Sequence, residues 1–192
     1  MLLCVAFMTI IERKAMGSMQ RRIGPNVVGY YGVLQPFADA LKLVVKEQII
    51  PAQSNKALFF LAPMISLVFS LLGWAVIPFG SGMAIADLSL GMLFSLAVSS
   101  IGIYGALFAG WAANSKYAFL GSLRSTAQMV SYELIFSTCV FTVILMTGSL
   151  NFTTIVESQT AIWFIVPLFP IFIMYLISAL AELNRTPFDL PE

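Results

Sequence analysis

Four long stretches of this chain carry no charge, and they constrain its fold more than any other feature. Lys56 and Asp87 enclose 30 uncharged residues, Asp87 and Lys116 enclose 28, Glu133 and Glu157 enclose 23, and Glu157 and Glu182 enclose 24. A helix of about 20 residues crosses the ~30 Å hydrocarbon core of a bilayer. Each stretch holds one span, and the sequence predicts transmembrane helices near 57–78, 88–112, 127–148 and 160–182. Only 10% of the residues are charged and 59% are hydrophobic, whereas a soluble domain carries charge on about 25% of its residues. The expected fold class is all-α, a polytopic transmembrane helix bundle forming a single membrane domain over residues 1–192.

The first segment, Met1 to Ile11, is apolar but only 11 residues long, about half a span. It lacks a basic leading region and a small-residue cleavage site, so it reads as the tail of a first helix and not as a signal peptide. Pro63, Pro167 and Pro170 fall inside predicted spans and are expected to kink or loosen them. Gly102, Ala106 and Gly110 form a small-xxx-small ridge, a pattern for close helix packing.

Loop charges orient the chain. Residues 12–56 carry seven of the ten basic residues, residues 113–126 carry two and residues 183–192 carry one. The intervening loops, 79–87 and 149–159, carry none. By the positive-inside rule the basic loops lie on the cytoplasmic or matrix side. Asn151-Phe152-Thr153 matches a glycosylation sequon, a pattern common by chance. Within the inner loop 12–56, residues 34–47 pattern as an amphipathic helix. Phe37, Leu41, Val44 and Val45 share one face, Gln35, Asp39, Lys42 and Lys46 another, and Pro36 suits the first turn. Such a helix lies on the membrane surface or against a partner.

Other chemistries are excluded by what the sequence lacks. There is no histidine, which removes the usual haem ligand and neutral-pH proton shuttle. The two cysteines, Cys4 and Cys139, stand far apart in apolar runs and read as buried thiols, so no metal or iron–sulfur site is expected on this chain alone. No glycine-rich phosphate loop and no Ser/His/Asp constellation is present, and a net charge of +1 argues against a nucleic-acid partner.

Two acids stand out. Glu133 opens an apolar run and is expected one or two turns inside the membrane, while Glu182 marks the inner end of the last span. An intramembrane carboxylate is costly and is by default a functional candidate, facing a bundle interior or a wet cavity. The structural alternative is an interfacial acid that snorkels or pairs with Arg124 or Lys116. From the residues alone, the chain is a multi-span protein whose inner-side acids and bases line a polar or proton-conducting cavity.

The same residues resemble a known family. Glu12-Arg13-Lys14, Met19-Gln20-Arg21-Arg22 and Gly24-Pro25-Asn26 with Gly29 look like the first inner loop of the subunit 1 family of NADH:quinone oxidoreductase, respiratory complex I. Leu34-Gln35-Pro36-Phe37-Ala38-Asp39-Ala40 continues the pattern with Lys42, Lys46 and Glu47. So do Gly110-Trp111, Ser115-Lys116-Tyr117-Ala118, Leu123-Arg124, Ser131-Tyr132-Glu133 and the segment from Ala181 to Glu192. The likeness runs in order along the whole chain.

The resemblance implies a membrane-arm subunit at the junction with the hydrophilic arm. Such a subunit forms part of the quinone access channel and cavity and couples quinone reduction to proton translocation. It implies that Glu12, Arg13, Arg22 and Asp39 border the quinone cavity. It also implies that Arg124, Glu133, Glu182, Arg185 and Glu192 belong to the proton-coupling connection. No catalytic residue or metal is expected on this chain alone. Quinone is the substrate, and NADH, FMN and the iron–sulfur clusters sit on partner subunits. The implied partners are the other complex I subunits, both the hydrophilic quinone module and the membrane arm, together with ubiquinone and the lipid bilayer. The implied location is the mitochondrial inner membrane, or alternatively a bacterial plasma membrane. The family's acid-rich continuation after Glu192, its last helices and the front of its first helix are missing here, so an incomplete or split form is expected. The competing functions are the homologous membrane subunit of a membrane-bound hydrogenase and a stand-alone ion transporter. Transporters often show internal repeats, and none is evident here.

Overall fold

The structure is a computed structural model that describes residues 2–80, 82–184 and Phe188. The described residues form seven α-helices and one short 3₁₀ turn, with no strand. The expected all-α class holds. The chain divides into two compact units, Met1–Ile49 and Ile50–Glu192.

In the first unit, α1 (Leu2–Met19) does not stop at Ile11, as expected, but runs on through Glu12, Arg13 and Lys14. Charge alone does not end a helix, and Glu, Arg, Lys, Ala and Met are all good helix formers. The helix ends where Arg21 adopts a left-handed backbone (φ 55°). The Arg22 amide then donates to the Gly17 carbonyl at 2.8 Å and the Arg21 amide to Ser18 at 3.2 Å, the paired bonds of a Schellman cap. A 3₁₀ turn over Tyr30–Gly32 precedes α2 (Gln35–Val45), with Pro36 in its first turn. α2 is the amphipathic helix that the spacing predicts. Phe37 packs its ring edge-on to Phe7 of α1, with centroids 6.2 Å apart, while Leu41, Val44 and Val45 remain exposed. Cys4 is also exposed, against the expectation of a buried thiol; Cys139 is buried.

The second unit contains α3 (Lys56–Gly73), α4 (Gly91–Ala112), α5 (Lys116–Thr147), α6 (Phe152–Glu157) and α7 (Phe169–Glu182). α3 packs on α4, α4 on α5, and α5 on α7. Three of these helices, α3, α4 and α5, are long and apolar enough to cross a membrane, and this is a membrane protein. Its buried residues are mostly small: Ala62, Ala112, Ser178 and Ala181 are almost fully enclosed. Leu67, Leu71 and Leu145 point outward. In a bilayer, lipid covers outward leucines, and helices associate through small residues that let their backbones approach.

Three boundaries differ from the expected spans. α3 ends at Gly73 and not near 78. α5 begins at Lys116, well before 127, because Ser115 caps it by accepting the Ala118 amide at 3.2 Å and no proline follows. Its 32 residues extend about 48 Å, well over the ~30 Å apolar core. α7 has only 14 residues and is preceded by turns through Pro167. Pro170 lies in its first turn, where a missing N–H costs nothing, so Pro170 starts the helix and does not kink it. α3 runs continuously through Pro63.

The glycine ridge also differs in detail. Gly105, absent from the predicted ridge, lies directly against α3. A Cβ there would collide with Ser66 Oγ and lie 3.1 Å from the Ala62 carbonyl. Gly110 packs against Ser122 and the Ala118 carbonyl of α5, whereas Gly102 has only an ordinary contact with Phe69.

Candidate functional site

The first unit carries an open pocket of about 600 Å³ lined by Arg13, Arg22, Ile23, Gly24, Pro25, Asn26, Val27 and Gln35. Its wall is the Gly24-Pro25-Asn26 turn, folded back on α1. Gly24 lies so close to the helix that a Cβ would meet Lys14 Cα at 3.1 Å and the Arg13 carbonyl at 3.2 Å. On the other side Gly32 (φ 75°) approaches Pro25, and a Cβ at Gly32 would collide with the Pro25 carbonyl. Small residues therefore set the shape of this wall.

Two of the four sequence-predicted cavity residues, Arg13 and Arg22, line this pocket, and a third, Asp39, bonds to its lining residues Arg13 and Gln35. Arg13 Nη1 donates to Asp39 Oδ2 at 2.7 Å, joining α1 to α2. Gln35 Nε2 donates to Asp39 Oδ1 at 3.0 Å. The Arg13 and Gln35 hydrogen bonds hold the Asp39 carboxyl below its usual range, because they stabilise the charged form. Arg22 faces the pocket with its Nε donating to Gln20 Oε1 at 2.7 Å. Glu12 is half-buried on α1 immediately before Arg13. Lys14, not singled out from sequence, donates to the Tyr31 carbonyl at 2.5 Å and lies over the Tyr31 ring at 5.6 Å.

The second unit holds the acids. Glu133 lies on α5, and its partners are not the expected cations. Ser99 Oγ of α4 donates to Glu133 Oε1 at 2.9 Å and Ser100 Oγ donates to the same oxygen at 2.5 Å. Arg124 and Lys116 are exposed on the earlier turns of α5. They lie nine and seventeen positions before Glu133, about 14 and 26 Å along the axis. If the ~30 Å core ends near Thr147, Glu133 sits about 9 Å inside its inner edge.

Glu182, the last residue of α7, is half-buried. It lines a cavity of about 430 Å³ with Ser66 and Ser70 of α3, Ser95 and Ser99 of α4, and Met129 of α5. Glu133 and Glu182 lie close enough for their charges to interact, and Ser99 belongs to both the cavity wall and the Glu133 contact. Gln128 holds the end of α7 against α5. Its Nε2 lies 3.2 Å from the Ala181 carbonyl, 3.1 Å from Asn184 Oδ1 and 3.3 Å from the Phe188 carbonyl. Asn184 Nδ2 in turn donates to Ser125 Oγ at 3.1 Å. Arg185 and Glu192 lie outside the described residues.

At the opposite end of the unit, Asn151 caps α6 by accepting the Thr153 amide at 2.7 Å and donates to Asp87 Oδ1 at 2.8 Å. The Asn151 side chain thus ties two loops together.

Comparison with known sequences assigns the family. The family model for NADH dehydrogenase matches residues 1–192. The chain belongs to the NADH dehydrogenase family. It is 73% identical over 191 residues to NADH-ubiquinone oxidoreductase chain 1 of Mycosarcoma maydis, covering 100% of this chain and 58% of the relative. It is 63% identical to the chain of the same name from Trichophyton rubrum, covering 100% and 56%. With an NADH-quinone oxidoreductase subunit of Rhodospirillum centenum the identity is 56%, covering 100% and 57%. The chain thus spans somewhat over half the length of the curated relatives it matches.

Within this family framework, Ser99, Ser100 and Gln128 are the site residues that sequence reasoning missed. Each is an uncharged polar residue in a predicted or observed span. Serine is so common on helices, bonded to its own backbone, that pattern alone does not separate these two from the rest.

Proposed function

We propose that this chain forms part of a membrane-arm subunit of respiratory complex I. In this reading it contributes to the quinone access channel and cavity and couples NADH-driven quinone reduction to proton translocation. The observation that carries the reading is the whole-length family match together with the pocket lined by Arg13, Arg22 and Gln35, where Asp39 holds both Arg13 and Gln35.

Reduction of a quinone to a quinol takes up two electrons and two protons. NADH, FMN and iron–sulfur clusters on partner subunits supply the electrons. The Arg13 and Arg22 guanidiniums, offering planar donor groups, bind and orient the polar quinone head beside the Gly24-Pro25-Asn26 wall. Asp39 keeps Arg13 aimed across the pocket, and Glu12 is assigned to the same chamber. The exposed apolar face of α2, with Leu41, Val44 and Val45, suits an isoprenoid tail at bilayer depth.

Coupling is assigned to Glu133 and Glu182, with Arg124, Arg185 and Glu192 continuing the charged connection. A change of charge at the quinone alters the free energy of nearby carboxylates in a low-dielectric site, and protons then move between them through water. The partners are the other complex I subunits, ubiquinone and the bilayer. The location is the mitochondrial inner membrane, multi-pass, which agrees with the higher identity to the fungal ubiquinone oxidoreductase chains than to the bacterial relative.

A photoreactive quinone-site inhibitor tests the assignment in the intact complex. Labelling is expected within Met19–Lys46. A complex that remains inhibitor-sensitive but takes no label in that segment overturns the channel role.

A further inference from the structure

Glu133 is held in an unusual way for an acid within a membrane helix. Among the described residues no cation meets Oε1; two hydroxyls from consecutive residues of α4 do. Both hydroxyls have a second acceptor. Ser99 Oγ and Ser100 Oγ each stand 3.0 Å from the same backbone oxygen, that of Leu96. The neighbouring Ser66, Ser70 and Ser95 donate to carbonyls of their own helices, the ordinary habit of helical serine. Ser99 and Ser100 combine that habit with a carboxylate across the helix interface.

A serine hydroxyl carries one proton, so each must choose between the carboxylate and Leu96. Rotation about the Cβ–Oγ bond suffices, since both acceptors are already in range. When Glu133 is ionised, both protons turn to Oε1, because a hydrogen bond to a charged acceptor is about twice as strong as a neutral one. When a proton arrives and an O–H bond forms at Oε1, the charge is lost. Both serine protons then turn back to Leu96, and the new carboxyl O–H donates to one serine Oγ. The serines remain neutral throughout, and no bond to them forms or breaks.

We propose that Ser99 and Ser100 form a two-position hydroxyl rotor that aims the Glu133 carboxylate and passes its protonation state to the Glu182 cavity. The proposal rests on the coupling role assigned to Glu133. Ser99 is the link, because it touches Glu133 and also lines the cavity with Glu182. When its proton leaves Oε1, the O–H dipole at the cavity wall swings toward Leu96. The cavity, at about 430 Å³, has room for several waters at about 30 Å³ each. Those waters reorient with it.

The test uses the assembled membrane complex and infrared difference spectra between its oxidised and quinol-reduced states. The Glu133 carboxyl band is assigned by its disappearance in Glu133→Gln. In the double variant Ser99→Ala, Ser100→Ala the band moves to higher frequency, because the protonated carboxyl no longer donates its O–H to a serine oxygen, and the ratio of protons translocated to electrons transferred falls several-fold. Ser99→Thr with Ser100→Thr keeps both hydroxyls and restores band and ratio. An unshifted band in the assembled double-alanine complex overturns the rotor, as does the absence of any Glu133 band change on reduction. Proton translocation persisting in Glu133→Gln is a separate result, which overturns the coupling role and leaves the band shift to judge the hydrogen bonds.

Discussion

Beside the pocket of the first unit, a cation meets a carboxylate; beside the cavity of the second, a carboxylate meets two neutral hydroxyls. Arg13 and Asp39 are both substantially exposed, at 52% and 37% of their side chains, so water screens the pair and little stability depends on it. That arrangement keeps a guanidinium oriented at low cost and is insensitive to small changes around it. Glu133 has no compensating charge at Oε1 among the described residues and depends on hydroxyls that can turn away. A fixed pair suits recognition of a polar group, and a hydroxyl-held acid suits a group whose charge must change.

The largest expected effect breaks the second arrangement. Glu133→Gln retains size and hydrogen bonding but cannot ionise. Proton translocation in assembled membranes should fall by about 10-fold or more, in the range of general acid–base contributions. Normal proton stoichiometry would remove the functional contrast between the two sites. Gly105→Leu attacks the frame around the cavity. Its side chain must displace Ser66 and press on the Ala62 backbone, so the unit should lose about 1–3 kcal/mol as in other overpacked cores. A lower melting temperature and less assembled complex on native gels would register this.

Gln128→Leu should cost about 1–3 kcal/mol by removing the amide that ties the Ala181 and Phe188 carbonyls and the Asn184 side chain to α5. Glu182 would then lose its fixed position, and the variant should weaken coupling more than quinone binding. The smallest effect belongs to the exposed pair. Asp39→Asn should leave the melting temperature of the complex unchanged and raise the KM for quinone a few-fold, since Arg13 is no longer held. The Asp39 carboxyl lies below its usual range. A depressed folded-state value contributes above the unfolded value and is lost only as pH falls through the folded one. Asp39 should therefore add no pH dependence to quinone KM between about pH 5 and 8. A titration in that window traced to Asp39 would contradict the fixed-pair picture.

Much of this organisation was legible in the residues. Charge-free runs located the apolar helices, because hydropathy and length are local properties. The boundaries were less legible. Ser115 starts α5 early through a side-chain cap, and Pro170 begins α7 where a count of apolar residues places a kink. Arg13, Arg22 and Asp39 were singled out by family resemblance; Arg13 and Arg22 line one pocket, and Asp39 bonds to Arg13. The partners of Glu133 were not recognisable. An acid in a span invites a search for a cation, and Arg124 and Lys116 are the nearest in sequence, yet both lie turns away along the same helix.

The sequence by itself determined that long apolar helices separate its charged loops, that its basic residues gather in three of those loops, and that residues 35–45 form a two-faced helix. These follow from periodicity, burial cost and charge counting along a single strand of chain. Only the tertiary structure decided that Gly105 and not Gly102 sets the α3–α4 contact, that Gln128 holds α7, and that Ser99 and Ser100 meet Glu133. Which faces of two helices touch depends on their rotation and separation, and those are set by packing between elements distant in sequence.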